Sequence, residues 1–306
     1  MTAKKEILFL THRIPYPPDK GDKIRSWRLL KHLTGRFDVH LACFVDDQRD
    51  LVHRDILDSL CASSTFLGLN PTIARLKSLI SLFSKNALTF YFYRDRKMIA
   101  AIDELRKRPL AAEIVFSSSM APYIAAPIAG RKRIIDFCDA DSEKWRQYAF
   151  ETRGPLSWVY DREGNTLAQA ETQIANWADA SFAVTAEEAA LFNQRASIRN
   201  QVDWWSNGVD VDYFDPARIF DLLPATCDVI FVGAMDYRAN VEAVFEFVRN
   251  VWPKVRAAAP NASFAIVGSS PVARIRALDG VNGVTVTGRV DDVRPWLAQA
   301  KIAIAP

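Results

Sequence analysis

The first apolar run of the chain is Ile7-Leu8-Phe9-Leu10, which is typical of a short buried strand. A proline-rich loop follows it. Residues 22–34 then carry Ile24, Trp27, Leu30 and Leu33 at near-helical spacing. A buried strand that leads through a loop into an amphipathic helix is the first step of a parallel α/β sheet. This stretch therefore predicts the fold class.

The same alternation continues to the end of the chain. After the first strand, the pattern predicts five strands at 39–45, 65–69, 114–117, 133–137 and 181–184, with a further helix at 98–105. A second series predicts strands at 229–232, 264–267, 284–286 and 302–305, with helices at 241–258, near Ile275 and near Trp296. We therefore expect an α/β protein with two Rossmann-like, doubly wound domains.

A polar stretch that is rich in turn residues and bracketed by prolines separates the two series. It predicts a first domain at 1–210, a linker at 211–226 and a second domain at 227–306. The second domain has four predicted strands, whereas a typical doubly wound unit has about six. We therefore expect this domain to be incomplete and the chain to be truncated at its C-terminal end.

Composition narrows the class of protein. A net charge of +3 over 306 residues, with acidic and basic residues interspersed, does not indicate a nucleic-acid partner. The four cysteines form no C-x-x-C pair, the N-terminus has no secretory leader pattern, and no apolar run reaches the ~20 residues of a spanning helix. These features favour a cytoplasmic protein with reduced thiols.

Short motifs argue against a classical dinucleotide-binding site and against ATP hydrolysis. No G-x-G-x-x-G occurs, and residues 283–290 have the glycine spacing of a P-loop but carry Arg289 and Val290 where lysine and a hydroxyl residue are needed. Two D-x-D matches, at 139–141 and 210–212, are roughly what chance provides. The histidines show no metal-ligand spacing. We expect no metal site and no cofactor.

The loop after the first strand is the clearest candidate site. His12 lies just past the strand, where open α/β sheets bind ligands. Gly21 stands at the start of the following helix, where free backbone amides and the helix dipole attract anions. Two interpretations stay open: contact with a phosphate or an acceptor, or a rigid turn that Asp22 caps.

Four blocks of sequence together resemble the family 4 glycosyltransferases. They are residues 7–26 (ILFLTHRIPYPPDKGDKIRS), 136–145 (DFCDADSEKW), 206–214 (SNGVDVDYF) and 231–241 (FVGAMDYRANV). The combination is most similar to sugar transferases associated with exosortase and exopolysaccharide gene clusters.

The resemblance implies a GT-B fold, in which two facing Rossmann-like domains hold the acceptor and a nucleotide-sugar. It implies metal-independent transfer, with retention of anomeric configuration, to a lipid-linked or glycan acceptor of exopolysaccharide synthesis. The implied donor or phosphate contacts are Gly21, Gly233, Arg238, Asn240, Gly288, Arg289 and Val290. The acceptor-side candidates are His12, Lys20 and Asp139.

The chain departs from the family pattern in two respects. Only Arg238 supplies a cation after the first strand of the second domain, where the family has an arginine and a lysine. The family's catalytic glutamate pair is expected beyond Pro306. Two alternatives therefore stay open: a non-catalytic nucleotide-binding or interaction protein, and a GT-B sugar-nucleotide epimerase or hydrolase.

Residues 74–94 interleave basic residues with apolar and aromatic ones. This composition suits a helix that lies on an anionic bilayer, which would place the protein on the inner face of the cell membrane. Packing of the same residues in the core of the first domain is the alternative.

Overall fold

The computed structural model describes residues 4–221 and 227–306. The chain divides into two compact units between Asn207 and Gly208. Most of the predicted linker at 211–226 thus falls within the second unit. Its residues 222–226, and residues 1–3 of the predicted first domain, lie outside the described residues.

The first unit contains a seven-stranded parallel sheet in the order β3-β2-β1-β4-β5-β6-β7. Its strands are β1 (Glu6–Thr11), β2 (Asp38–Val45), β3 (Ser63–Gly68), β4 (Ala112–Phe116), β5 (Lys132–Cys138), β6 (Ala180–Ala183) and β7 (Asp203–Trp204). The six strands predicted from the sequence are confirmed. The two-residue strand β7 has no counterpart among the predictions.

Helices cover both faces of this sheet. They are α1 (Gly21–Thr34), α2 (Arg54–Leu60), α3 (Pro71–Ser78), α4 (Leu88–Phe92), α5 (Arg96–Arg106), α6 (Asp141–Glu151), α7 (Pro155–Trp177) and α8 (Ala186–Asn193), with 3₁₀ turns at Gln48–His53, Leu79–Phe83 and Ser118–Ile124. Leu8 and Leu10 of β1 pack into one apolar cluster, and Ile7 and Phe9 pack into the other. Because successive strand residues point to opposite faces, β1 is buried on both sides, as a doubly wound sheet requires.

The second unit has a four-stranded parallel sheet in the order β10-β9-β8-β11. Its elements are β8 (Val229–Val232), α9 (Arg238–Glu246), α10 (Trp252–Ala258), β9 (Phe264–Val267), α11 (Ala273–Arg276), β10 (Val284–Gly288), α12 (Arg294–Gln299) and β11 (Ile302–Ala303). The four predicted strands are confirmed.

One predicted helix of this unit is interrupted. The sequence predicts a single helix at 241–258, whereas a π-helical turn at Phe247–Val251 separates α9 from α10. Pro253 stands near the start of α10 and has no backbone N–H to donate to the preceding turn, so the α-helical ladder cannot run through it.

Across the two described ranges, no helix combines the length and the apolar character that crossing a bilayer requires.

Candidate functional site

His12 is held at the carboxyl end of β1 by an acidic partner and an aromatic ring. Its Nε2 lies 3.4 Å from Oδ2 of Asp22, and its ring stacks on Phe116 of the neighbouring strand β4 at 5.8 Å between centroids. Burial raises the pKa of Asp22, but His12 and Arg13 outweigh it and hold that pKa well below its usual range. The charged Asp22 therefore orients His12. In the described structure, the buried Nδ1 of His12 has no hydrogen-bond partner.

Gly21 is the first residue of α1 and is exposed. A methyl group added to its Cα would meet no heavy atom within 4 Å. Lys20 occupies the N-cap position with an exposed side chain that forms no capping hydrogen bond. The alternative in which Asp22 caps this helix is wrong, because Asp22 lies inside α1 and binds Arg13 at 2.8 Å as well as His12. The start of α1 is thus open to a ligand.

Asp139 lies in the first D-x-D match, just after β5. The Nζ of Lys144 lies 2.5 Å from Asp139 Oδ2 and 3.2 Å from Asp141 Oδ1. Burial lowers the pKa of Lys144, but the two carboxylates outweigh it and the net pKa is raised. An ammonium that is firmly protonated thus bridges the carboxylates of this D-x-D pair.

A buried arginine that the sequence predictions did not include fixes α1 on the sheet. Nε of Arg25 donates to both carboxylate oxygens of Asp136 at 3.0 and 2.9 Å, and Nη2 donates to the carbonyl of Ala183 at 3.1 Å. Its guanidinium lies 3.7 Å from the ring centroid of Trp205. The sequence does indicate that such a partner exists, since Asp136 is an acidic residue inside an apolar strand. A buried carboxylate needs a cation or hydrogen bonds. This pair sets the position of α1.

In the second unit, two glycines let the loops after β8 and β9 touch. A Cβ on Gly268 would lie 1.7 Å from the carbonyl oxygen of Gly233. A Cβ on Gly233 would lie 2.6 Å from Nδ2 of Asn240, which donates to the carbonyl of Ala234 at 3.0 Å. Gly233 and Asn240, both predicted as donor contacts, therefore have a role in packing this loop.

Arg238 is the first residue of α9, as predicted. Its Nε donates to Oε1 of Glu242 at 2.8 Å, and both side chains are about half exposed. Arg238 lines an open cavity of about 440 Å³ together with Asp236, Val241, Val272, Ala273 and Arg274. The sequence analysis did not single out Arg274, which is the second residue of α11. Two cations and a helix N-terminus thus border one cavity.

The remaining three predicted donor contacts, Gly288, Arg289 and Val290, lie at the end of β10 and just after it. Gly288 ends the strand with a φ of +68°, a backbone conformation that favours glycine, and its carbonyl accepts from the amide of Gly268 at 3.2 Å. Arg289 is exposed. The side chain of Val290 instead packs against a small core cluster that includes Ile230 and Val267. Gly233, Gly268 and Gly288 therefore meet at one edge of the sheet, whereas the side chain of Val290 is part of the apolar core.

The second unit matches a family of known proteins. Residues 226–306 match the family described as glycosyl transferases group 1. No curated protein sequence matches the chain.

Solved structures with the same fold cover nearly the whole chain. Sucrose-phosphate synthase from Thermosynechococcus elongatus has a TM-score of 0.63 at 15% identity, over 98% of this chain and 75% of its own. A glycosyltransferase from Rickettsia africae has a TM-score of 0.58 at 13% identity, over 99% of this chain and 73% of its own. A structure from E. coli, described as trehalose-6-phosphate bound with UDP-2-fluoro glucose, has a TM-score of 0.54 at 10% identity, over 96% of this chain and 75% of its own. The chain has the GT-B fold, and within it residues 226–306 match the group 1 glycosyl transferases.

Proposed function

We propose that the protein transfers a sugar from a nucleotide-sugar to a lipid-linked or glycan acceptor, with retention of anomeric configuration and without a metal ion. The match of residues 226–306 to group 1 glycosyl transferases carries this proposal. A nucleotide-sugar donor is supported by the structural neighbour from E. coli, which is described as bound with UDP-2-fluoro glucose. The role in exopolysaccharide synthesis rests on the combined sequence resemblance of residues 7–26, 136–145, 206–214 and 231–241. The cytoplasmic location rests on the four widely spaced cysteines, which form no C-x-x-C pair.

The donor diphosphate is proposed to bind at the start of α9. Arg238 provides a guanidinium there, and the first amides of the helix provide donors and a favourable dipole. Arg274 borders the same cavity. As the bond to the sugar breaks, negative charge grows on the leaving diphosphate, and fixed cations stabilise that charge. The diphosphate competes with Glu242 for Arg238.

The proposal of metal-independent transfer is supported by the pairing of Asp139 and Asp141 with Lys144. Both carboxylates already share one ammonium, so the D-x-D match is not free to chelate an ion. Arg238 can supply the positive charge that a divalent ion supplies in other sugar transferases.

The acceptor is proposed to bind the first unit at the carboxyl end of β1. His12 is oriented there by Asp22, and its partly exposed ring offers a surface to the acceptor, whereas its Nδ1 is buried and unpartnered within the described residues. Lys20 and Gly21 offer an ammonium and free backbone amides to a phosphate of the acceptor or donor.

Calorimetric titration with UDP tests the diphosphate site. Arg238→Ala should weaken binding by roughly ten- to a hundredfold, since a charge-assisted hydrogen bond contributes about 1.5–3 kcal/mol. Glu242→Gln should tighten binding by about twofold, because it removes an exposed competing pair worth about 0.3–0.5 kcal/mol. Arg249→Ala, an exposed arginine of the same unit, is the matched control. Equal affinities of the Arg238 and Arg249 variants would remove Arg238 from the site.

Sugar transfer is tested on a protein that includes the expected glutamate pair, with a panel of nucleotide-sugars and lipid-linked acceptors in the presence of a chelator. The anomeric configuration of the product is read by NMR. Transfer with retention is expected. Activity that disappears with chelator and returns with a divalent ion would contradict the metal-independent mechanism. Sugar release or epimerisation without acceptor would identify the alternative enzyme classes.

A further inference from the structure

The helical segment at residues 71–83 is packed the opposite way from an ordinary surface helix. Its small residues Ala74, Ser78 and Ser81 face the protein and are buried. Its large apolar residues face outward: Leu76 and Ile80 are each 65% exposed, and Phe83 is 94% exposed. A helix of a globular protein normally buries its apolar stripe and exposes its small and polar residues.

The exposed residues form a continuous stripe. Ile73, Leu76, Ile80 and Phe83 follow one another at intervals of three, four and three residues, which places them on one side of a helix. We call this stripe the outer face. Scattered exposed apolar residues are ordinary, but a contiguous stripe of large ones marks an interaction surface.

Two further exposed aromatic residues lie on helices α6 and α7, and α7 contacts the segment that carries the outer face. Phe150, near the end of α6, is 93% exposed, and Trp158, in the first turn of α7, is also exposed. The hydroxyl of Ser157 donates to the carbonyl of Ala149, which joins these two helix ends. One turn after Trp158, Nη2 of Arg162 donates to the carbonyl of Ser81 at 2.7 Å. The start of α7 is therefore tied to the segment that carries the outer face.

The charges of the segment that carries the outer face have one sign, whereas the exposed acids Glu151 and Asp161 lie beside Phe150 and Trp158 in the sequence. Arg75, Lys77 and Lys85 are exposed, and residues 71–94 contain no aspartate or glutamate. Within the part of the chain that the structure describes, these three cations form no ion pair. Flexible cations beside an apolar stripe match a surface that is apolar inside and anionic outside, because their stems lie along the apolar layer while their heads meet phosphates.

The later part of the basic and aromatic segment at residues 74–94 packs into the protein. Phe90 and Tyr93 pack against the main apolar cluster of the first unit, so the core-packing alternative is correct for that part. The exposed part of the segment ends near Lys85.

We propose that the outer face, with Phe150 and Trp158, docks on an anionic lipid bilayer. Leucine, isoleucine and aromatic side chains enter the boundary between headgroups and acyl chains, and Arg75, Lys77 and Lys85 bind lipid phosphates. This inference deepens the proposed function, since a lipid-linked acceptor would be met at this surface. Docking itself requires neither donor nor acceptor, so it can be tested separately from sugar transfer.

Sedimentation with vesicles tests the proposal on the full chain. The unmodified protein should sediment with vesicles of phosphatidylcholine and phosphatidylglycerol, and at least tenfold less with phosphatidylcholine alone. The triple variant Leu76→Ser, Ile80→Ser, Phe83→Ser should bind the anionic vesicles at least tenfold more weakly. The triple variant Arg75→Gln, Lys77→Gln, Lys85→Gln should bind roughly a hundredfold more weakly at low salt.

Matched variants separate this surface from general effects of charge and apolarity. Lys5→Gln, Lys97→Gln, Lys254→Gln removes three exposed cations elsewhere, and Ile219→Ser removes an equally exposed apolar residue; both should bind like the unmodified protein. Circular dichroism should show every variant folded, because the changed side chains are exposed. Equal binding by the outer-face and control variants would overturn the proposal. Failure to bind anionic vesicles, or a dimer that Phe83→Ser converts to a monomer, would overturn it as well.

Discussion

Within the described residues, nothing in the packing around Gly21 requires a glycine. Its φ lies outside the left-handed region, and a methyl group would meet nothing within 4 Å. Alanine is also a better helix former by up to about 1 kcal/mol. Gly21→Ala should therefore keep or slightly raise the melting temperature, yet lower sugar transfer, because the methyl group would occupy space where a phosphate or acceptor approaches the backbone.

Gly35→Ala is the control at the other end of α1. Its added Cβ would make an ordinary contact at 3.4 Å with the carbonyl of His32, so it should not change transfer. If Gly21→Ala transfers sugar at the unmodified rate, Gly21 is only part of a turn.

Glu171 predicts a dependence of stability on pH. Burial raises its pKa to about 7, although Arg195 and Ser142 oppose the shift. An unfolded glutamate releases its proton near pH 4.5, whereas the folded state keeps it until about pH 7. The contribution of Glu171 to the free energy of unfolding is therefore fully present below about pH 4.5. This contribution should fall by on the order of 3 kcal/mol as the pH rises to 7.

Urea unfolding at several pH values measures this fall. Because other groups titrate in the same range, the informative quantity is the difference between the unmodified protein and Glu171→Gln, which cannot titrate. Parallel curves for the two proteins between pH 4.5 and 7 would show that Glu171 is ionised in the folded state.

At the scale of helices and strands, the sequence predicted the buried elements best. Runs such as Val229–Val232 stand out because a strand buried on both faces is continuously apolar. Strand β7 was missed because its two residues are exposed. Helix α7 was missed although it has 23 residues, because the buried Glu163 and Glu171 interrupt its apolar pattern.

The candidate site was predictable in position and less so in contacts. Arg238 and Gly21 stand at helix starts after strands, which sequence order alone can place. The contact of Arg238 with Glu242 is an i,i+4 pair within α9, which sequence spacing alone indicates. The pairing of Arg25 with Asp136 and the approach of Gly268 to Gly233 depend on tertiary geometry. No local pattern encodes the distance between two loops.

The contact between the β8 and β9 loops gives a prediction at this scale. Gly268→Ala would place a methyl group 1.7 Å from a backbone oxygen that cannot move alone, so the loops must separate. We expect a loss of about 3 kcal/mol in the stability of the second unit, at the upper end of overpacking effects, and weaker UDP binding. Gly288→Ala, which adds only the strain of a left-handed backbone, should cost about 1–2 kcal/mol. Equal losses in chemical denaturation would contradict the steric argument.

For the whole molecule, each unit has its own apolar core. Ile7, Phe9 and Leu41 belong to a cluster of the first unit, whereas Phe247, Trp252 and Phe264 belong to a cluster of the second. A unit with its own core can unfold as its own cooperative step. We therefore expect calorimetry to show two thermal transitions.

UDP should raise the melting temperature of the second unit alone, because the proposed diphosphate site at Arg238 lies within that unit. At a free concentration of about 100 times Kd, a ligand that binds only the folded state adds about 2.7 kcal/mol. For a unit of about 100 residues this corresponds to a rise of roughly 10–20 °C. Hydrogen exchange should assign the added protection to residues 229–288, and Arg238→Ala should reduce both effects. Protection gained only within residues 4–207 would move the nucleotide site to the first unit and contradict the proposed division of donor and acceptor.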